Sequence, residues 1–370
     1  MMRTRNMNAE LIRVMACLIV IGVHCDLLTQ DFDSSQILWR VMLGDGVTYF
    51  FIIMGFFLFR NKSFFLLLKD VILRIMLPGL VTMFLIRLFF PWIHNECGFL
   101  QCIIHPKFDY IEYAKSVLNW SSGGGDSGYL WYLFTYLQVV MLVPIMKLFC
   151  REDLNGNTYE KIRFYVIGIN LFGMMLRDAM AFIRLPSSEP YGILTVPAMM
   201  TVAGYTIYAR REQLKENRKV GWLFLGGAVV IELIRWRLQL LLSANDVSNT
   251  IYLMYNTSFA FIVTVCVTIF IMTLDIKSNQ LKKVLTITGK KTFAIYLIHY
   301  PILCFLDARG FGDALINTLT GSSAMIGNFG ELAYILIRIF VIFSVSLFIT
   351  LIPGWGIYIF RTCVKRLYKA

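Results

Sequence analysis

The chain has 370 residues, of which 58% are hydrophobic and 16% are charged, and its formal net charge is +12. Soluble domains are usually no more than about half apolar. This composition excludes an ordinary soluble domain and predicts an all-α, polytopic membrane helix bundle in a single domain over 1–370. The apolar run after the basic N-terminus has no small-residue cleavage site, so we expect it to remain as a helix.

Apolar segments recur along the whole chain. Ten of them have about the length, roughly 17–25 residues, that crosses a bilayer as a helix. The sequence therefore predicts about ten transmembrane helices. Their approximate bounds are 8–28, 41–59, 75–93, 129–149, 164–183, 191–209, 220–242, 250–274, 292–307 and 331–360.

Basic residues are distributed unevenly between the connections of these segments. If the N-terminus is cytoplasmic, the cytoplasmic connections carry most of the 35 Lys and Arg residues. The positive-inside rule then places both termini in the cytoplasm. The positive charge faces anionic lipid of the inner leaflet, so no nucleic-acid partner is needed to explain it. We expect a multi-pass protein of a bacterial-type plasma membrane.

The first predicted helix contains two polar residues, Arg13 and His24, inside an apolar run. Their spacing is about 20° more than three full helical turns, so both lie on one face, roughly 16 Å apart along the axis. A charged Arg within a membrane helix costs about 2.5–3.5 kcal/mol. An imidazole suits deprotonation of a hydroxyl, and an arginine suits binding of an anionic group. The pair therefore predicts a functional polar cleft.

Other ionisable residues in the predicted helices have two interpretations. The spacing of Glu232 and Arg235, and of Arg177 and Asp178, fits structural ion pairing. His299 fits either a hydrogen-bonded core residue or a catalytic group. So many cations in apolar segments nevertheless indicate an anionic ligand or a water-filled cavity. The arginines in predicted helices are Arg13, Arg87, Arg177, Arg235, Arg237 and Arg338.

Two long connections, about 94–128 and 308–330, are predicted on the outer side. Long connections either cover a site or simply join helices. Cys97 and Cys102 lie in the first of them and either remain thiols or form a disulfide. The eight cysteines are scattered and none has the CxxC spacing, so we predict no metal site.

Five short motifs occur in order along the chain. Arg13 and His24 are separated by ten residues, and 46–58 is an apolar aromatic run containing Met-Gly-Phe. Further on, 74–78 reads Arg-Ile-Met-Leu-Pro, 129–133 reads Tyr-Leu-Trp-Tyr-Leu, and 289–299 ends in Tyr-Leu-Ile-His. Together these motifs resemble the acyltransferase-3 family of integral membrane proteins.

Two positions depart from the family pattern. Met54 replaces the usual Ser before Gly-Phe. The family often has Arg-x-x-Arg before the third helix; the second Arg matches Arg74, but Val71 replaces the first, with Lys69 and Asp70 preceding it. In the family, this motif is expected to contact the acyl donor. The departure means that Arg74 alone makes this contact, or that Lys69 makes it instead.

The resemblance implies a membrane O-acyltransferase that moves an acetyl group from cytoplasmic acetyl-CoA, as co-substrate, to a hydroxyl of an extracytoplasmic cell-envelope glycan. By the same resemblance, His24 is the base or acyl relay and Arg13 is its partner in the cleft. His299 assists His24 in the reaction. Arg74 binds the phosphates of the acyl-CoA, or Lys69 does so in its place.

An alternative function comes from a branch of the same family. The membrane half of the serine racemases linked to vancomycin resistance is assigned to amino-acid uptake, and 40–57 resembles that branch. The chain is then a transporter of a small polar solute, or a membrane domain of a longer protein. The enzyme is favoured because Arg13 and His24 combine an anion site with a base, and because the internal repeats of many transporters are not seen.

Overall fold

The computed structural model describes residues 5–25, 34–59, 63–119, 121–122, 125–151, 156–185, 192–244, 252, 255–320 and 327–367. Within these ranges the regular structure is helical and contains no strand, as predicted. A π-helical turn, Ile72–Met76, joins α4 to α5, and a 3₁₀ helix, Gly125–Leu130, precedes α8. The helices are α1 (Met7–His24), α2 (Ser34–Leu43), α3 (Gly46–Leu58), α4 (Phe64–Val71), α5 (Leu77–Ile93), α6 (Phe99–Ile104), α7 (Tyr110–Leu118), α8 (Trp131–Met141), α9 (Val143–Met146), α10 (Asn157–Phe182), α11 (Val196–Ala209), α12 (Arg211–Glu216), α13 (Arg218–Ser243), α14 (Ser258–Thr273), α15 (Asn279–Gly289), α16 (Thr292–Asp307), α17 (Phe311–Thr320) and α18 (Gly327–Leu367).

Five helical segments among the described residues are long and apolar enough to cross a membrane. Helices α14 and α16 are apolar but shorter. These segments support a membrane protein, and the count of ten spans and the location of the termini stay predictions. The five segments are Met7–His24, Ile37–Leu58, Phe64–Ile93, Asn157–Phe182 and Leu332–Ile352.

Two predicted helix bounds were wrong for reasons that lie in local chemistry. The span predicted from 75 begins at Phe64, because the Ser63 side chain caps the helix by accepting a hydrogen bond from the Leu66 N–H. The span predicted over 129–149 is interrupted at Leu142. Pro144 lacks a backbone N–H and its ring crowds the preceding turn, so a new short helix begins there.

The two long connections predicted on the outer side also contain helices that the sequence analysis did not predict. Helices α6 and α7 lie within 94–128, and α17 lies within 308–330. Asp109 begins α7, since its carboxylate accepts hydrogen bonds from the N–H groups of Ile111 and Glu112. These segments therefore add ordered structure at the end of the bundle where α1 finishes.

The centre of the bundle is the close packing of α3 against α11. Thr201 donates its hydroxyl hydrogen to the Phe51 carbonyl across this contact, at 3.2 Å. Gly204 faces the Ile52 carbonyl so closely that a Cβ atom would lie 1.9 Å from its oxygen. Small residues allow two membrane helices to approach at the backbone and to gain dispersion energy along their length. This contact fixes the position of α3, whose other side faces α1.

We predict that Gly204→Ala destabilises the bundle by about 1–3 kcal/mol, because a backbone carbonyl cannot yield as a flexible side chain does. Thermal unfolding in detergent measures the change. Gly226→Ala is the matched control, since no atom lies within 4 Å of its added Cβ and alanine favours a helix. Equal melting temperatures for the two variants would contradict the packing described for α3 and α11.

Candidate functional site

A cavity of about 490 Å³ lies between α1, α3, the π-helical turn, α8 and α16. We call it the Arg13 cavity. Its wall is mainly apolar, and its cationic side chains are those of Arg5, Arg13, Arg74 and Lys290. Its volume is within the range of about 300–1,000 Å³ that small-molecule sites have. The cavity thus combines an apolar channel with positive charge.

Arg13 is held in this cavity by two contacts. Its Nη1 lies 3.2 Å from Glu10 Oε1, and its guanidinium lies over the Phe57 ring at 4.4 Å. Glu10 is buried and its Oε1 also lies 3.4 Å from Arg5 Nη1. One carboxylate therefore serves two cations and leaves excess positive charge. The sequence analysis missed Glu10, although its spacing of three from Arg13 is the signal for such a pair.

His24 and His299 lie beside each other at the end of α1. Their ring centroids are 5.4 Å apart, and the Tyr300 ring lies 5.1 Å from that of His24. His299 is fully buried, and its Nδ1 lies 2.7 Å from the Tyr296 carbonyl oxygen. Since a carbonyl only accepts hydrogen bonds, Nδ1 carries the proton and Nε2 carries the lone pair. That Nε2 is buried and has no hydrogen-bond partner among the described residues.

The backbone hydrogen bonds of α16 are interrupted close to His299. Pro301 has no N–H, so the Leu297 carbonyl has no helical donor. Tyr129 donates its hydroxyl hydrogen to that carbonyl at 2.5 Å, and Tyr296 donates to the Tyr129 carbonyl at 2.6 Å. These two bonds join the 3₁₀ helix that precedes α8 to the middle of α16, and they hold Tyr296, which lies beside His299.

An aromatic layer separates the Arg13 cavity from the two histidines. It consists of Phe50, Tyr132 and Tyr296, with centroid distances of 5.8 Å from Phe50 to Tyr132 and 5.7 Å from Tyr132 to Tyr296. All three rings line the cavity, and the Tyr296 ring also lies 5.8 Å from the His299 ring. His24 is not among the described residues that line the cavity. The structure thus places Arg13 and His24 on opposite sides of this layer.

The two predicted phosphate ligands are placed differently. Arg74 lines the Arg13 cavity, is 78% exposed and lies 3.4 Å from Asp70. Lys69 is exposed and is not among the residues that line the cavity. The structure therefore brings Arg13 and Arg74 to one cavity and pairs His24 with His299.

Arg177 and Arg235, two other arginines of the predicted membrane helices, make structural contacts. Both predicted pairs are present, with 2.8 Å between Arg177 and Asp178 and 3.5 Å between Arg235 and Glu232. Arg235 has a closer partner, Asp45, at 2.7 Å. Sequence reasoning missed Asp45 because it precedes α3, far from Arg235 along the chain. These pairs join α3, α10, α13 and α14 beyond the aromatic layer.

Two further arginines also bind residues that are distant in sequence. Arg338 of α18 lies 2.5 Å from Asp307. Arg87 donates to Ser127 Oγ at 3.2 Å and to the Ser122 carbonyl at 3.0 Å. Arg87 therefore anchors the connection that precedes α8.

The thiols of Cys97 and Cys102 are adjacent, with 3.1 Å between their sulfur atoms. Both are free thiols in this structure, and the hydrogen bond between them raises the pKa of Cys97. The disulfide stays a prediction. Among the described residues, no group of three or more His, Cys, Asp or Glu side chains has the arrangement of a metal site.

The fold and the site together define a helical membrane protein in which a cationic cavity lies close to two adjacent histidines, of which His299 is buried. A family model described as "Acyltransferase domain" matches residues 8–355, and the chain belongs to the acyltransferase-3 family. Family membership supports membrane acyltransferase activity in general terms. No curated protein and no solved structure matches the chain.

We predict that Asp178→Ala destabilises the protein by about 3–5 kcal/mol in detergent unfolding, because it leaves Arg177 buried without its carboxylate. It also removes the acceptor of two 2.7 Å hydrogen bonds from Ser258 at the start of α14. Asp275→Ala is the control, since it breaks a half-exposed pair with Arg218 that contributes about 0–1 kcal/mol. Similar losses for both variants would refute a structural role for Asp178.

Proposed function

We propose that the protein is a membrane O-acyltransferase that moves an acetyl group from cytoplasmic acetyl-CoA to a hydroxyl of an extracytoplasmic cell-envelope glycan. The observation that carries the proposal is the contact of His24 with the buried His299, one aromatic layer away from a cationic cavity. A bacterial-type plasma membrane with both termini in the cytoplasm belongs to the proposal. In that orientation the Arg13 cavity faces the donor and the histidines face the acceptor.

The donor fits the Arg13 cavity by its chemistry. Phosphate groups of acyl-CoA bind arginine through charge-assisted hydrogen bonds, and Arg74 and Arg5 supply such donors at the wall. The largely apolar wall formed by Phe57, Tyr132 and Tyr136 suits the pantetheine arm. Arg13 is the cation on α1 that faces this arm. The thioester reaches the histidines when the rings of Tyr132 and Tyr296 move aside.

Transfer itself requires a base for the acceptor hydroxyl. In the proposed reaction, His24 takes the hydroxyl proton while the oxygen attacks the thioester carbonyl carbon. The C–O bond forms, the C–S bond breaks, and the departing thiolate takes up the proton to give the free thiol of CoA. The Nε2 lone pair of His299 accepts a hydrogen bond from the protonated His24 or from the acceptor, which stabilises the charge that develops.

We predict that His24→Ala lowers the rate of transfer of labelled acetyl groups from acetyl-CoA to glycan by about 10²–10⁴-fold, the usual contribution of a general base. His299→Ala lowers it less, because the base remains. His105→Ala, a histidine exposed in the connection after α6, retains the wild-type rate and serves as the control. Melting temperatures verify that each variant is folded. Transfer that persists in His24→Ala would exclude this mechanism.

The same preparation distinguishes the enzyme from the transporter. Vesicles containing the purified protein are supplied with labelled serine on one side and, separately, with labelled acetyl-CoA. The proposed enzyme transfers acetyl groups and accumulates no serine. Serine accumulation without acetyl transfer would replace the proposed reaction with amino-acid uptake.

A further inference from the structure

A second cavity, of about 510 Å³, lies at the end of the bundle where α1 begins. The residues before α1, the helix α12, the start of α13 and the residues after α14 form it. Its wall is mainly polar, in contrast to the Arg13 cavity. Its charged lining residues are Arg5, Arg211, Glu212, Lys215, Arg218 and Asp275.

The two cavities share one residue, Arg5, which lines both of them. Its Nη1 lies 3.4 Å from Glu10 Oε1 and 3.5 Å from the Thr286 carbonyl oxygen. A ligand that extends from the Arg13 cavity into the second cavity therefore passes a guanidinium at the junction. The cationic junction suits a ligand that carries negative charge in its middle.

Carboxylates in the second cavity are each shared between two cations. Glu212 lies 3.3 Å from Arg211 and 3.2 Å from Lys215. Asp275 lies 3.1 Å from Arg218 and 3.8 Å from Lys277. One positive charge remains uncompensated at each carboxylate. The cationic side chains are between about one third and four fifths exposed. Ion pairs with this exposure contribute little to stability, so an incoming phosphate readily displaces the carboxylates from the cations.

The wall also offers a flat surface for an aromatic base. The Arg211 guanidinium lies over the Tyr208 ring at 4.4 Å, and both residues line the cavity. Bases stack on aromatic rings and on guanidinium planes, and phosphates bind arginine in bidentate fashion. The second cavity therefore combines the two features that recognise a phosphorylated nucleoside.

We propose that this second cavity binds the 3′-phosphorylated adenosine end of the acyl-CoA donor. This inference rests on the proposed function, and it assigns the two ends of the donor to two cavities. The pantetheine arm occupies the Arg13 cavity, the diphosphate lies at Arg5, and the 3′-phosphate lies among Arg211, Lys215 and Arg218. Arg74, on the far wall of the Arg13 cavity, is then not the contact for the 3′-phosphate.

Equilibrium binding of CoA and of dephospho-CoA, which lacks the 3′-phosphate, tests this assignment with the full-length protein in phosphatidylcholine nanodiscs. Lys215→Gln and Arg218→Gln each weaken CoA binding about tenfold, the usual effect of losing a charge-assisted hydrogen bond. They leave dephospho-CoA binding nearly unchanged, because only CoA carries the phosphate that they contact. Lys219→Gln, an exposed neighbour outside the cavity, changes neither affinity.

Other outcomes overturn the assignment in distinguishable ways. Equal weakening of CoA and dephospho-CoA means that the cavity holds another part of the donor. Unchanged CoA binding in both variants, with loss of phosphatidylglycerol binding in a second set of nanodiscs that contain this lipid, assigns the cavity to a lipid headgroup. If both variants bind CoA and phosphatidylglycerol as the wild type does, the cavity holds neither of these ligands.

The proposed reaction and this inference fail separately. If Lys215→Gln weakens CoA binding while His24→Ala transfers acetyl groups at the wild-type rate, the nucleotide site stands and the reaction is wrong. If His24→Ala abolishes transfer while Lys215→Gln and Arg218→Gln retain the wild-type KM for acetyl-CoA, the reaction stands and the nucleotide site is wrong.

Discussion

A single hydrogen bond missing from α16 organises the candidate site. Because Pro301 has no N–H, the carbonyl of Leu297 needs another donor, and the hydroxyl of Tyr129 supplies it at 2.5 Å. An unpaired carbonyl inside a membrane bundle costs several kcal/mol, so this contact is strongly constrained. It anchors the 3₁₀ helix that precedes α8 to α16, close to Tyr296 and His299. Tyr296 belongs to the aromatic layer, and its hydroxyl donates to the Tyr129 carbonyl at this junction.

Charged side chains make different contacts on the two sides of the aromatic layer. On the side of His24, Arg235 and Arg177 are buried against carboxylates from other helices or from their own, and they stabilise the bundle. On the other side, Glu10 and Glu212 are each shared between two cations, so positive charge stays available to a ligand. Removing a partner from a buried ion costs far more than removing one from an exposed ion. The first group therefore stabilises the fold, and the second supplies the positive charge on which the proposed donor binding rests.

The family and the helical class were predictable from the sequence. Apolar segments of bilayer length and the motifs around Arg13, Arg74 and His299 are local patterns. Local patterns can be recognised in a sequence without knowledge of the fold. The errors in the predicted helix bounds also have local causes. Pro144 shortened a predicted span, and Ser63 extended another, through capping and proline chemistry that the hydropathy of the segments does not record.

By itself the sequence determined a membrane bundle of helices, a cation and an imidazole on one face of α1, and a second histidine in α16. The tertiary structure decided that His24 pairs with His299, that Arg13 shares Glu10 with Arg5, and that an aromatic layer lies between. The physical reason is that hydropathy and helical periodicity depend on neighbouring residues, whereas ion pairs and cavities depend on distances between helices far apart in the chain. Those distances arise only when the helices pack.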